Sequence, residues 1–102
     1  MTLLGQQAIR QKLENLPDWS SAGHSIKRTI AFDTFRQGID FVCIFADLIE
    51  SWDHHPDLEI RDNEVTVYCA SRTEKGITQN DFATARRIDD VIASTLLFEE
   101  QD

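Results

Sequence analysis

Residues 34–53 are apolar on too many sides for a helix that meets only one neighbour. At helical spacing Phe35, Ile39, Val42, Ala46 and Ile49 make one stripe, yet Phe41, Ile44, Phe45 and Leu48 are apolar as well and fall outside it. Such a helix has to be covered on more than one side, and one small sheet covers only one. Packing of like chains through this helix is the simplest remedy, so a homodimer or homotetramer through residues 34–53 is expected. Asp33 stands where an N-cap belongs, and His55-Pro56 supplies the stop.

The rest of the chain changes period around this helix. Residues 24–32 alternate, with Ile26, Arg28, Ile30 and Phe32 on one face and Ser25, Lys27 and Thr29 on the other, as a strand requires. Residues 19–22 are its expected partner, turning near Gly23. Leu58 and Ile60 alternate with charged residues, Asp62-Asn63 has turn chemistry, and Val65, Val67 and Cys69 mark a returning strand. Ile9 and Leu13 place a short helix in residues 5–15, broken by Leu16-Pro17-Asp18-Trp19. Thr78 and Asp81 read as a capping box opening a last helix, whose stripe is Phe82, Ala85, Ile88, Ile92 and Leu96. The expected order is α-β-β-α-β-β-α: an α+β domain with a four-stranded antiparallel sheet and helices on one face.

The 102 residues suffice for one domain, 1–102, with one modest core. A net charge of -8 argues against a direct grip on nucleic acid, which needs clustered cations. No window approaches the roughly 20 apolar residues of a membrane span. The opening residues carry no basic region followed by a long apolar stretch, so the expected compartment is the cytoplasm. Cys43 and Cys69 lie inside apolar runs at no metal spacing, and both are expected as reduced core residues.

Chemistry concentrates in Glu50-Ser51-Trp52-Asp53-His54-His55-Pro56-Asp57. In extended chain, neighbouring side chains point to opposite sides, so His54 and His55 should do different jobs. Imidazole titrates near neutrality and suits general acid-base work. Histidines at a helix C-terminus also cap free carbonyls, and the residues alone leave capping and catalysis open. Adjacent histidines suit tetrahedral zinc poorly, and His24 is distant in sequence, so no metal is expected. Capping already explains Asp81. Trp19 and Trp52 are expected as core or cleft walls.

At these residues the chain resembles the pterin-4a-carbinolamine dehydratase family, also known as dimerisation-cofactor proteins. The family pattern is an acidic residue followed, after three positions, by His-His-Pro, here Glu50, His54, His55 and Pro56. Upstream, Leu16-Pro17-Asp18-Trp19, the strand from Ile26, Phe35, Gly38 and Phe41 resemble the approach to it. Downstream, Gly76-Ile77-Thr78, Asp81, Ala85 and Ile88 resemble its closing segment. The likeness spans residues 16–92. The chain departs from the pattern where most characterised relatives carry a third histidine, since that position is Arg72, followed by Thr73. Leu58 replaces an aromatic residue, Asp62 or Asn63 a tyrosine, and Asn80 a basic residue.

The resemblance implies dehydration of a 4a-hydroxytetrahydropterin (4a-hydroxytetrahydrobiopterin in the family) to the quinonoid dihydropterin, a lyase reaction with no metal or organic cofactor. It implies His54 for proton transfer, His55 for holding the pterin or sharing that transfer, and Asp81 for orienting a histidine or the ring's amino groups. Glu50, Pro56 and Arg72 are implied as substrate contacts. A guanidinium stays charged and cannot shuttle protons, so reduced activity is expected. The rival implication is a silent relative that binds protein, as a transcription-factor dimerisation cofactor or a Rubisco assembly factor does.

Overall fold

The computed structural model describes residues 3–70 and 76–100, with side chains as far as residue 96. Its elements are α1 (Gln6–Leu13), β1 (Ser20–Ala22), β2 (Ser25–Ala31), α2 (Phe35–Ile49), β3 (Asp57–Arg61), β4 (Glu64–Cys69) and α3 (Gln79–Glu100). The strands form one antiparallel sheet in the order β1-β2-β4-β3. The α+β order expected from periodicity is the order observed.

Turn chemistry closes both hairpins. Gly23 takes φ 63°, a left-handed conformation that suits a residue without Cβ, and Ser25 Oγ donates to Ala22 O at 2.9 Å. At the other hairpin Asp62 takes φ 53°. Asn63 then ties the turn to the end of β2, its Nδ2 donating to Phe32 O at 2.6 Å while Phe32 N donates to Asn63 O at 2.9 Å.

Register decides which residues face the helices. Ile26 pairs with Cys69, Arg28 with Val67, Ile30 with Val65, and Val65 and Val67 pair onward with Ile60 and Leu58. Opposed residues share a face, so these positions form one surface, with Ile26, Val65 and Val67 fully buried. The other face is polar. Thr29 and Thr66 share a hydroxyl hydrogen bond of 2.8 Å, and Tyr68 OH reaches Glu59 at 3.4 Å.

Onto the apolar face α2 lays Gly38, Phe41, Phe45 and Ile49. The Phe41 ring lies 5.2 Å from Phe32 and 5.5 Å from Phe45, centroid to centroid. Burying side chains of this size contributes roughly 1.5–3 kcal/mol each. From α3 come Phe82, Ala85, Ile88 and Ile92, all buried, as the sequence stripe requires.

The structure corrects several expectations. Of the expected stripe only Ile49 is buried, and the row Phe35, Ile39, Val42 and Ala46 does not point squarely at the core. Phe35 is 54% exposed and the other three are half-buried, so this row is a second, partly uncovered flank. Thr34, not Asp33, caps the helix: its side chain accepts from Gln37 N at 3.1 Å, while Gln37 Oε1 accepts from Thr34 N and Asp33 N. The helix ends at Ile49, short of residue 53, because Trp52 N turns back to Ile49 O at 2.9 Å. Cys69 is buried, but Cys43 is exposed, standing on the side of α2 turned from the core. Trp19 and His24 lie outside the strands, in the bend before β1 and in the turn after it.

One charged residue occupies the helix-side face of the sheet. Arg28 is neutralised by α3, its Nη1 lying 2.6 Å from Asp89 Oδ1. The same oxygen accepts from Trp19 Nε1 at 2.8 Å, and Asp18 Oδ2 lies 3.7 Å from Arg28 Nη2. Asp89 therefore fastens the start of the sheet to α3 by two hydrogen bonds across long stretches of chain. Substituting Asp89→Ala strips both donors of their acceptor and is expected to cost about 2–3 kcal/mol. Urea unfolding measures this; a loss below about 0.5 kcal/mol would mean the cluster is only surface decoration.

Candidate active site

The loop between α2 and β3, residues 50–56, carries the two histidines. It leaves α2 at Glu50, the C-cap, and enters β3 at Asp57, which pairs with Tyr68 near the end of β4. Both imidazoles are exposed. His55 Nε2 lies 3.3 Å from the Glu50 carbonyl oxygen. A carbonyl only accepts, so Nε2 is the donor in this contact, and in the neutral ring Nδ1 keeps the lone pair. Among the described residues none hydrogen-bonds the His54 ring. The adjacent rings thus differ: one has a nitrogen committed to its own helix end, the other is open.

Asp81 is buried at the start of α3. Its Oδ2 accepts from Thr78 N at 2.8 Å and from Thr78 Oγ1 at 3.3 Å. The carboxylate half of the box forms; the Thr78 hydroxyl, however, turns to the carboxylate as a donor. Glu50 is exposed and Pro56 half-buried beside the histidines. Arg72 lies outside the described residues, in the segment that leaves β4 after Ala70 and returns at Gly76. Gly76 packs closely on Leu3, Leu4 N donates to Ile77 O at 2.8 Å, and Leu3 bridges Thr78, so the N-terminal segment braces the approach to α3.

Electrostatics links these pieces. The Cys69 thiol, at the end of β4, is pushed up to about 12, first by burial and then by the negative charges of Asp81, Asp89 and Asp57. Carboxylates at the head of β3 and in α3 therefore lie within electrostatic reach of the same strand end. The histidine loop runs directly into Asp57. Asp57, which the histidine loop enters, and Asp81 thus both act on the Cys69 end of β4, although 27 positions separate His54 from Asp81 in the chain.

Two features were not legible in the sequence. Arg87 of α3 stacks on Trp52, with Cζ 4.1 Å from the ring centroid, and no local pattern joins residues 35 positions apart. A cleft of about 240 Å³ opens between α1 and the β1–β2 turn, lined by Ile9, Arg10, Leu13 and Gly23 among others. Neither histidine lines it. No group of three or more His, Cys, Asp or Glu among the described residues could hold a metal ion, and no described helix is long and apolar enough to cross a membrane.

Fold and site together define a small α+β protein with an open imidazole pair at the head of an edge strand. The sequence profile described as Pterin 4 alpha carbinolamine dehydratase matches residues 2–91, and the chain belongs to that family. A Mycobacteroides abscessus protein named provisionally as a pterin-4-alpha-carbinolamine dehydratase is 44% identical over 89 residues, covering 87% of this chain and 95% of that one. One from Herpetosiphon aurantiacus, named in the same provisional terms, is 39% identical over 94 residues, covering 92% and 98%. The crystal structure of a transcriptional coactivator/pterin dehydratase from Brucella melitensis superposes with TM-score 0.71 at 27% identity, covering 89% of this chain and 99% of that one.

The raised Cys69 thiol has a consequence for stability. Unfolded, a cysteine loses its proton near about pH 8.5, so the folded state holds that proton more tightly. Its contribution is complete below that pH and falls as pH climbs towards about 12. Unfolding free energies from urea titrations are expected to drop between about pH 9 and pH 11 by up to roughly 1 kcal/mol per pH unit, and Cys69→Ala should flatten the drop. Identical slopes for the two proteins would refute this.

Proposed function

We propose that the chain dehydrates a 4a-hydroxytetrahydropterin to its quinonoid dihydropterin, working as one domain. The carbon–oxygen bond at C4a breaks, the hydroxyl leaves as water with a proton delivered to it, and the neighbouring ring nitrogen gives up a proton. Nothing is oxidised or reduced. The observation that carries this reading is the exposed imidazole pair, with no described residue hydrogen-bonded to the His54 ring and His55 held through Nε2.

In this reading His54 moves the proton and His55 binds the ring or shares the transfer. Asp81 is assigned to the site through its remaining carboxylate oxygen, Oδ1, because Oδ2 is engaged by Thr78. Glu50 and Pro56 flank the pterin, and Arg72 donates to a ring carbonyl or to the departing oxygen. Family membership supports the substrate class. Acid-base help of this kind contributes about two to four orders of magnitude.

A second assignment concerns the uncovered flank of α2. Phe35, Ile39, Val42 and Ala46 make an apolar row on a helix whose adjoining flank, Gly38, Phe41, Phe45 and Ile49, already fills the core. We assign this row to contact between copies of the chain, as a dimer or tetramer. The same row is the surface that would serve a protein client if the chain acted as a coactivator, the role named for the Brucella protein.

Purified protein mixed with freshly generated 4a-hydroxytetrahydropterin is expected to accelerate its dehydration, and His54→Ala with His55→Ala to remove about a hundredfold or more of that acceleration. No acceleration by the wild-type chain defeats the enzyme reading. Unchanged activity in the double variant moves the chemistry off the histidines. Persistence of the cellular role in that variant would favour the protein-binding alternative. For the α2 row, Phe35→Asp places an acid in the first turn, where the helix dipole favours it. Light scattering should report a smaller particle, and Cys43 should react faster with a thiol reagent. An unaltered particle mass overturns that assignment.

A further inference from the structure

The loop carrying the histidines holds itself by little. Trp52 N donates to Ile49 O at 2.9 Å and His55 Nε2 to Glu50 O at 3.3 Å, while both imidazoles face solvent. Among the described residues of the loop, Trp52 is half-buried and packed against the core. One side of its indole is covered by Arg87, whose Cζ lies 4.1 Å from the ring centroid. A guanidinium over an indole face is attracted by the ring's negative quadrupole, and its plane stacks on the ring as a compact ammonium does not.

The base of this contact is rigid. Arg87 stands on α3 between Ala85 and Ile88, which are wholly buried, so its backbone is set by the core. Trp52 is two residues from His54, a span of roughly 7 Å in extended chain. Any freedom of the indole in its half-open seat is passed to the imidazoles over that short lever.

We propose that Arg87 is a positioning residue for His54 and His55, acting through Trp52; the proposal rests on the dehydratase reading. Its cation clamps the indole, and the clamped indole holds the loop in the one arrangement that presents the imidazoles to the pterin. The clamp acts by position alone. It is a device of this chain's own residues, separate from the acid-base groups.

Two variants test it. Arg87→Met keeps an unbranched apolar stem and removes the cation; Arg87→Lys keeps the cation. A contact of this strength corresponds to about a two- to fivefold change in an equilibrium. Arg87→Met is therefore expected to lower kcat about two- to fivefold with KM nearly unchanged, and Arg87→Lys to return a good part of the loss. In proton–carbon NMR spectra the His54 and His55 ring signals should shift or broaden in Arg87→Met, while those of His24, in the β1–β2 turn at the other edge of the sheet, stay in place. Unmoved His54 and His55 signals overturn the proposal, as does a lysine variant no better than the methionine one. An inactive wild-type protein would defeat the dehydratase reading instead, and the NMR comparison would still decide whether Arg87 positions the loop.

Discussion

The contact between α2 and the strand pair β2–β4 is the constraint on which the rest of the structure depends. Phe41 and Phe45 fill the space above Val65 and Val67, and Phe32, at the exit of β2, closes against Phe41. Once those rings are seated, the direction of α2 is set, and with it the point at which the chain is released after Ile49. The histidine loop begins there. The core thus delivers the imidazoles to the head of β3 without contributing an atom to their chemistry.

The second layer of constraint is polar. Arg28 is a cation on an apolar face, tolerated because Asp89 meets it at 2.6 Å and Trp19 shares the same oxygen. That cluster joins the first hairpin to α3, while the Leu3–Thr78 bridge joins the N-terminus to the start of α3. The sheet end bearing Cys69, Asp57 and Asp81 is enclosed by these ties, and the thiol there is held protonated by burial and by the surrounding carboxylates.

Membership of the pterin 4 alpha carbinolamine dehydratase family accounts for the frame: the sheet, the two long helices and the Glu50 to Pro56 motif. Around that frame Arg87 stacks on Trp52, two positions from His54. We assign proton transfer to the His54–His55 pair, and orientation of its loop to Arg87.

The sequence by itself determined the element order, both turns, the inward stripe of α3 and the placing of an imidazole pair between a helix and a strand, because these follow from period, turn chemistry and proline, all local. Even the Thr34 to Gln37 box was legible in principle, since the threonine-to-glutamine spacing is a local signature that an aspartate one position earlier masked. The sequence also implied that α2 needs cover on two sides. Only the tertiary structure decided which side is which. With apolar residues around most of the helix, periodicity points nowhere, and the outcome rests on how Phe41 and Phe45 meet Phe32 and β4. For the same reason Cys43 faces outward while Cys69 is buried. Arg28 with Asp89, and Arg87 with Trp52, are likewise invisible in the chain, because side chains dozens of positions apart meet only after the core has closed between them.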